Sequence, residues 1–394
     1  MSKIIGNKKY YYFDNAATTF PKPNEVYEEM KNCEQNYCVN SGRGQYKLAA
    51  VANKVISDTR TSVEKLFNCT SDYSCVFTDS ATTALNTIIQ GLVVKENCNI
   101  YITSFEHNSV LRPLYKKQKE NKIIIQELKF DTNSCTFNLQ EIKNSFNDNK
   151  PEILIMTHAS NSFGFITPVE EIAECAKKIN KNCIVIIDCA QTAGLVELNL
   201  STNLFDYIVF AGHKTLYGPF GIAGFVCRKD SPLKSFTYGG TGIDSKNLEM
   251  PTEIPNRFEA GSHNIISIAG LNEALKIIEK NGIGYFLKQD KILREKLLSE
   301  LLQFNNIKII GNKKNINYVG IVSVVFENYT SDEIGNVLDK FNICVRTGLH
   351  CAPLGHKIMG TFPAGTVRFS VGRFTNDEDF CALHDALKYI NENG

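Results

Sequence analysis

Apolar positions cluster into seven short β-rich runs through the first two thirds of the chain. They are Ser74–Thr78, Ile100–Thr103, Ile123–Leu128, Ile153–Thr157, Ile184–Asp188, Tyr207–Ala211 and Ile222–Cys227. The runs are apolar on both faces, as strands of a buried parallel sheet are. Helical patterns lie between several of them. Ala81–Gly91 follows the first run, and Pro168–Ile179 precedes the Ile184 run. Strand–helix–strand repetition predicts an α/β fold: a mostly parallel seven-stranded sheet with helices on its faces. Past Gly261 the texture changes. Ile265–Lys280 and Tyr285–Phe304 carry apolar positions at helical spacing. A shorter α/β set follows: Ile307–Ile310, Val319–Phe326, a helix over Ser331–Phe341, Val367–Val371 and a final helix over Asp377–Asn391. Ser331, with Glu333 near it, reads as a helix start. The pattern predicts a large domain over 20–262 and a smaller C-terminal domain over 263–394, with residues 1–19 packed on the smaller one.

Composition narrows the class. A chain of 394 residues is too long for one ordinary core. The 43 Lys and Arg balance 42 Asp and Glu, so nothing in the total charge calls for nucleic acid or an anionic membrane as partner. No stretch approaches the roughly 18 uninterrupted apolar residues of a membrane span. The start, Met1 to Tyr10, lacks the apolar stretch of a signal peptide. The expectation is a cytoplasmic protein. The 13 cysteines are scattered with no paired spacing, which speaks against structural zinc. Cys183, Cys189 and Cys344 sit in apolar runs and read as small buried hydrophobes.

Ligands of open parallel sheets bind beyond the carboxyl ends of the strands, so the polar residues there are the candidates. Ser80–Ala81–Thr82–Thr83 opens a helix and offers N–H groups and hydroxyls to an anion, or merely caps that helix. Asp188 ends a buried strand, where a carboxylate is costly unless it meets a cation; a protonated pyridine nitrogen would serve. Lys214, after the strand Tyr207–Ala211, can form a Schiff base with an aldehyde if its pKa falls. Carboxylate for a ring nitrogen and amine for an aldehyde is the pairing that pyridoxal phosphate chemistry requires. His107 could stack on a planar ring. In the C-terminal part, Arg368 could hold a substrate carboxylate bidentately. Cys351 lies in a Gly- and Pro-bearing loop beside His350 and near Arg346, conditions that favour a thiolate.

These residues sit in motifs. DNAATTFPKP at 14–23, EHNS at 106–109, HASN at 158–161, DCAQ at 188–191, GHK at 212–214, GGTG at 239–242, RFEAGS at 257–262 and RTGLHCA at 346–352 occur in order along nearly the whole chain. The chain resembles the class V aminotransferase-like pyridoxal phosphate enzymes, and within them the cysteine desulfurases. Its RTG-x-HCA loop is similar to that of the type II branch, which includes selenocysteine lyases. The resemblance implies a fold type I homodimer acting on L-cysteine, with Lys214 bonded to pyridoxal phosphate. It pairs Asp188 with the pyridine nitrogen and Gln191 with the ring oxygen, stacks His107 on the ring, and sets Thr82, Thr83 and His213 on the phosphate. Asn161 lies near ring and substrate, Ser262 reaches the phosphate of the neighbouring subunit, Arg368 binds the substrate carboxylate, and Cys351 takes up the sulfur. A separate protein is then expected to collect that sulfur. Selenocysteine or cystine lyase activity on the same fold is the alternative, and a non-catalytic sulfur-relay scaffold is a third reading. Three departures stand out. Ala211 replaces a common serine that contacts phosphate, a hydrogen bond of about 1.5–3 kcal/mol. Leu349 replaces a histidine of the loop, and His263 stands where proline is common.

Overall fold

The computed structural model describes residues 4–5, 8–42, 44–121, 123–243, 246–314 and 316–393; the rest of the chain, including residues 1–3, 6 and 7 of the N-terminal segment, lies outside the described residues. Among them, the large sheet has seven strands: β1 (Tyr73–Thr78), β2 (Asn99–Ile102), β3 (Ile124–Glu127), β4 (Ile153–Thr157), β5 (Ile184–Asp188), β6 (Tyr207–Ala211) and β7 (Ala223–Arg228), in the order β1-β7-β6-β5-β4-β2-β3. All pairings are parallel except those of β7, which runs antiparallel to both β6 and β1. The strands coincide with the seven apolar runs to within a residue or two.

Side-chain alternation divides the core. Val185 and Ile187, Leu154 and Met156, and Ile208 and Phe210 enter one apolar cluster; Ile186, Ile153 and Ile155, and Tyr207 and Val209 enter another on the opposite face. Both faces are covered, so the interior strands need no polar side. The exception is β3, an edge strand whose residues are exposed or half-buried. The helices are α1 (Asn24–Asn36), α2 (Lys47–Leu66), α3 (Ala81–Gly91), α4 (Asn108–Asn121), α5 (Leu139–Asp148), α6 (Val169–Ile179), α7 (Ile265–Asn281), α8 (Tyr285–Leu301), α9 (Ser331–Lys340), α10 (Pro353–Ile358) and α11 (Asp377–Glu392). None is long and apolar enough to cross a membrane.

A second sheet, β8 (Ile307–Ile310), β9 (Ile321–Phe326), β10 (Arg346–Gly348) and β11 (Thr366–Ser370), is antiparallel in the order β8-β9-β11-β10. A third apolar cluster joins it to α8, α9 and α11 and takes Phe13 from the N-terminal segment. Tyr11–Tyr12 pairs in parallel with Ile343–Cys344 beside it. Helix α7 lies on the other side of a boundary drawn at 262/263: it packs against α1 and α2, and its Ile265, Ile268 and Leu271 belong to the large-sheet core. Helix α9 starts at Ser331, as the sequence predicts. Thr330, not Ser331, is the cap, and its hydroxyl accepts from the Glu333 N–H while the Glu333 carboxylate accepts from the Thr330 N–H. Cys183 and Cys189 are buried as expected, and Cys344 is half-buried.

One buried ion pair ties the segment before α7 to the sheet. Glu259 receives two parallel bonds from Arg60 of α2, at 2.9 and 3.0 Å, and one from the Phe77 N–H at 2.7 Å. Burial pushes the Glu259 carboxyl up, but His263 and Arg60 outweigh it and hold it at about 2. Such a depressed carboxyl stabilises the fold fully above its ordinary value of about 4.5, and that contribution is lost as pH falls toward 2. Glu259→Gln, which leaves the Arg60 guanidinium buried without its anion, is expected to cost about 3 kcal/mol. The loss should show as a lower urea midpoint at pH 7, with the gap between variant and parent closing toward pH 2. A midpoint unmoved at pH 7 would contradict this role.

Candidate active site

The carboxyl ends of β1, β2, β4, β5 and β6 open on one cavity of about 210 Å³. Its wall carries Thr82, His107, Asn161, Asp188, Gln191, His213, Lys214 and Arg368, together with Arg346. All but the two arginines arrive there because a parallel strand ends and the chain must turn; Arg346 and Arg368 come from the second sheet. Asp188 is the last residue of β5 and pairs in register with Thr157 of β4. Lys214 lies in the turn after β6, where the Gly212 carbonyl accepts the Gly218 N–H at 2.8 Å.

Lys214 opens on the cavity on one side, and packed protein surrounds it on the others. That desolvation pushes its amine down to about 8; Asp188 pulls it up, while Arg368 and Arg346 push it further down. Asp188 is pushed up by burial, against a bond from the Ala190 N–H at 2.9 Å and the charge of Lys214. His107 is pushed down to about 4 by burial and by the nearby cations, Lys214 first among them. Its Nδ1 accepts the Ser109 N–H at 3.0 Å, which leaves the proton of the neutral ring on Nε2. The Ser109 hydroxyl lies 2.5 Å from the same nitrogen and 3.1 Å from the Thr82 hydroxyl, so it links the two predicted residues.

Cys351 does not line the Lys214 cavity. It borders an adjoining one of about 390 Å³ that shares Thr82, His107 and Ser109 with it. The loop is locked. His350 and Cys351 both take left-handed backbone angles, φ 48° and 61°, which non-glycine residues adopt at a cost. The Asn161 amide holds the His350 carbonyl at 2.7 Å, and the Asn108 N–H holds that of Cys351 at 2.7 Å. The expectation that His350 assists the thiol needs correction. Its ring is buried against the Thr366 hydroxyl at 2.9 Å, and burial pushes it down to about 2, so it is neutral and turned away. The cation at the thiol is Arg346, whose Nη2 lies 3.6 Å from Sγ.

Thr83 and Ser262 stand apart from the rest. The Thr83 hydroxyl meets Ser80, which caps α3, at 3.0 Å. Both Thr83 and the exposed Ser262 line a different cavity of about 310 Å³. Ala211 lines the Lys214 cavity without a hydroxyl, and His263 contacts Glu259 at 2.8 Å. The N-terminal motif supplies partners that sequence reasoning left unassigned. Asp14 accepts from Arg368 Nη2 at 2.7 Å. Lys22, pushed down to about 7 by burial, donates to Thr19 at 2.8 Å and to the His213 carbonyl at 2.6 Å. Thr19 in turn donates to the Lys214 carbonyl at 3.0 Å. These contacts fix the backbone from which Lys214 projects.

The donor set fits pyridoxal phosphate. His213 Nδ1 and Arg368 Nε are buried without a partner. Lys214 Nζ makes no hydrogen bond among the described residues, and Asp188 offers the cavity a buried carboxylate held by a single N–H. A free amine, an unmatched buried anion and unpaired donors are what an aldehyde, a ring cation and anionic groups would satisfy.

In cofactor-free protein, reductive methylation of Lys214 should follow a titration with its midpoint near 8, instead of the ordinary 10.5. Asp188→Asn removes the anion that raises the amine and should move the midpoint lower still. Peptide mass mapping across pH reads both. A midpoint near 10 in the parent would contradict the desolvated site.

The class-V aminotransferase family model matches residues 11–383. The chain is 30% identical to a cysteine desulfurase of Wigglesworthia glossinidia brevipalpis, over 96% of this chain and 92% of that protein. It is 28% identical to a probable cysteine desulfurase of Methanothermobacter thermautotrophicus, over 97% and 95% of the two chains. The structure of a cysteine desulfurase from Thermococcus onnurineus superimposes with a TM-score of 0.89 at 26% identity, covering 98% of this chain and 95% of that one. The chain belongs to the class-V aminotransferase family and, within it, to the cysteine desulfurases.

Proposed function

We propose that this enzyme converts L-cysteine to L-alanine with pyridoxal phosphate held at Lys214, and that Cys351 takes the sulfur as a persulfide. One observation carries the reading: a locked thiol borders a cavity that shares three residues with the Lys214 cavity. Amino-group transfer alone has no use for that thiol.

Lys214 would bond the cofactor aldehyde, Asp188 its ring nitrogen and Gln191 its ring oxygen. His107 would cover the ring, and Thr82 and His213, which line the Lys214 cavity, would hold the phosphate. When bound, the cofactor supplies an electron sink for negative charge at the substrate α-carbon. Lys214 Nζ, neutral above about pH 8, takes the α-proton. Arg368 directs its unpaired Nε to the substrate carboxylate, while its bonds to Asp14 and to the Asn161 carbonyl fix the guanidinium plane. Neutral His107 holds a proton at Nε2, within the cavity, for delivery to the departing groups. Arg346 favours the thiolate of Cys351 by charge. Cys351 Sγ then forms an S–S bond to the substrate sulfur as the substrate C–S bond breaks, and alanine leaves.

The working form we propose is a homodimer in the cytoplasm. Ser262 is exposed, away from the Lys214 cavity of its own chain, which suits contact with the neighbouring subunit's phosphate. Thirteen free cysteines suit a reducing compartment.

Lys214→Ala should lower alanine formation from cysteine by on the order of 10³-fold or more. Cys351→Ser should remove persulfide formation while keeping the cofactor's visible absorbance. A Cys351→Ser variant that turns cysteine over at the parent rate would contradict the thiol's role. Alanine formed from selenocysteine alone would make the enzyme a lyase.

A further inference from the structure

A charged groove runs outward from Cys351. The cavity bordering the thiol and a second of about 540 Å³ share Asn108, Arg112 and Lys116. Along α4, residues 108, 112, 115, 116 and 119 recur at steps of three and four, so they form one face of the helix. That face begins one residue after His107, at the Asn108 N–H that holds the Cys351 carbonyl. Across the groove α10 contributes Lys357, which sits 5.2 Å over the ring of Phe362. Tyr115 and Phe362 are 42% and 46% exposed, an apolar element within a basic surface. Among the described residues no aspartate or glutamate lines either cavity. In a chain with 43 basic and 42 acidic residues, this is a local departure from balance. Glu120 lies 3.7 Å from Lys116 and is itself solvent-exposed. Neither Arg112 nor Lys119 has an ion-pair partner among the described residues.

We infer that this groove receives an acidic, cysteine-bearing segment of the protein that collects the sulfur, an inference that rests on Cys351 as the sulfur carrier. The transfer is an exchange with no net oxidation or reduction. The acceptor's thiolate attacks the outer sulfur of the Cys351 persulfide, and the S–S bond to Cys351 breaks. Cys351 leaves as a thiolate and regains the proton that the acceptor thiol gave up. A nucleophilic thiol is therefore required of the partner, which favours a protein over RNA as the anionic occupant. Opposite charge brings that thiol to the groove faster than diffusion of an unsteered partner would.

The test uses the cofactor-loaded full chain with cysteine and two synthetic peptides that share one cysteine and differ only in flanking glutamates or lysines. Sulfur on each peptide is followed by mass, and alanine is followed separately with dithiothreitol as acceptor. The acidic peptide should be loaded about tenfold faster at low salt. That advantage should fade at high salt, as exposed charges are screened. Lys116→Glu combined with Lys357→Glu should reverse the preference and leave alanine formation with dithiothreitol unchanged. Equal loading of both peptides at low salt would overturn the inference, as would a double variant that keeps the parent preference. So would single-stranded RNA binding that these two substitutions abolish, with no preference between peptides. Absence of alanine from the unsubstituted chain with dithiothreitol would instead remove the Cys351 reading, and this inference with it.

Discussion

Asp188 ends β5 and Lys214 follows the end of its parallel neighbour β6 by three residues, each in a place where its charge is costly. Burial raises the carboxyl and lowers the amine, while the two charges pull each other back. The opposition needs both strands to stop at one sheet edge, and β5 and β6 do so because their residues are buried on both faces. The sheet thus sets the chemistry before any loop is considered. An amine near neutrality at pH 8 beside an unmatched anion is a site prepared for a group that carries an aldehyde and a ring cation.

The second sheet supplies what the large sheet lacks. Arg368 projects from β11, and two bonds fix its plane: one to the Asn161 carbonyl beyond β4, one to Asp14 of the N-terminal segment. The Cys351 loop is tied to Asn161 and Asn108, beside the large sheet, through the backbone of His350 and Cys351 themselves. The tie also explains why a pair of left-handed residues is tolerated: two hydrogen bonds, from Asn161 and Asn108, hold the strained segment. The thiol and the amine therefore keep a fixed relation, although they follow strands of different sheets.

Much of this was legible in the sequence, for a physical reason. Strands buried on both faces, all but the edge strand β3, leave apolar runs; Asp188 ends one of them, and His107 and Lys214 follow two others within a few residues. What was not legible depends on distance along the chain or on direction. Asp14 meets Arg368 across 354 residues and Lys22 meets the His213 carbonyl across 191, so no local pattern announces either contact. His350 adjoins Cys351 in sequence, yet the left-handed turn sends its ring to Thr366, and adjacency was misleading. Ser331 and Thr330 are neighbouring hydroxyls, and only backbone geometry decides that Thr330 caps α9. Helix α7 reads as the first element of a new domain by its texture, but its apolar face is matched to α1 and α2, which a one-dimensional pattern does not reveal.

The central claim is that sulfur leaves cysteine for Cys351 through a site built on Lys214 and Asp188. The most direct measurement is a single turnover with heavy-sulfur-labelled cysteine, followed by peptide mass mapping under non-reducing conditions. The account predicts one labelled sulfur on the peptide bearing Cys351, in equal amount to the alanine released. Label released as free sulfide with none on Cys351, or label on another of the thirteen cysteines, would contradict it.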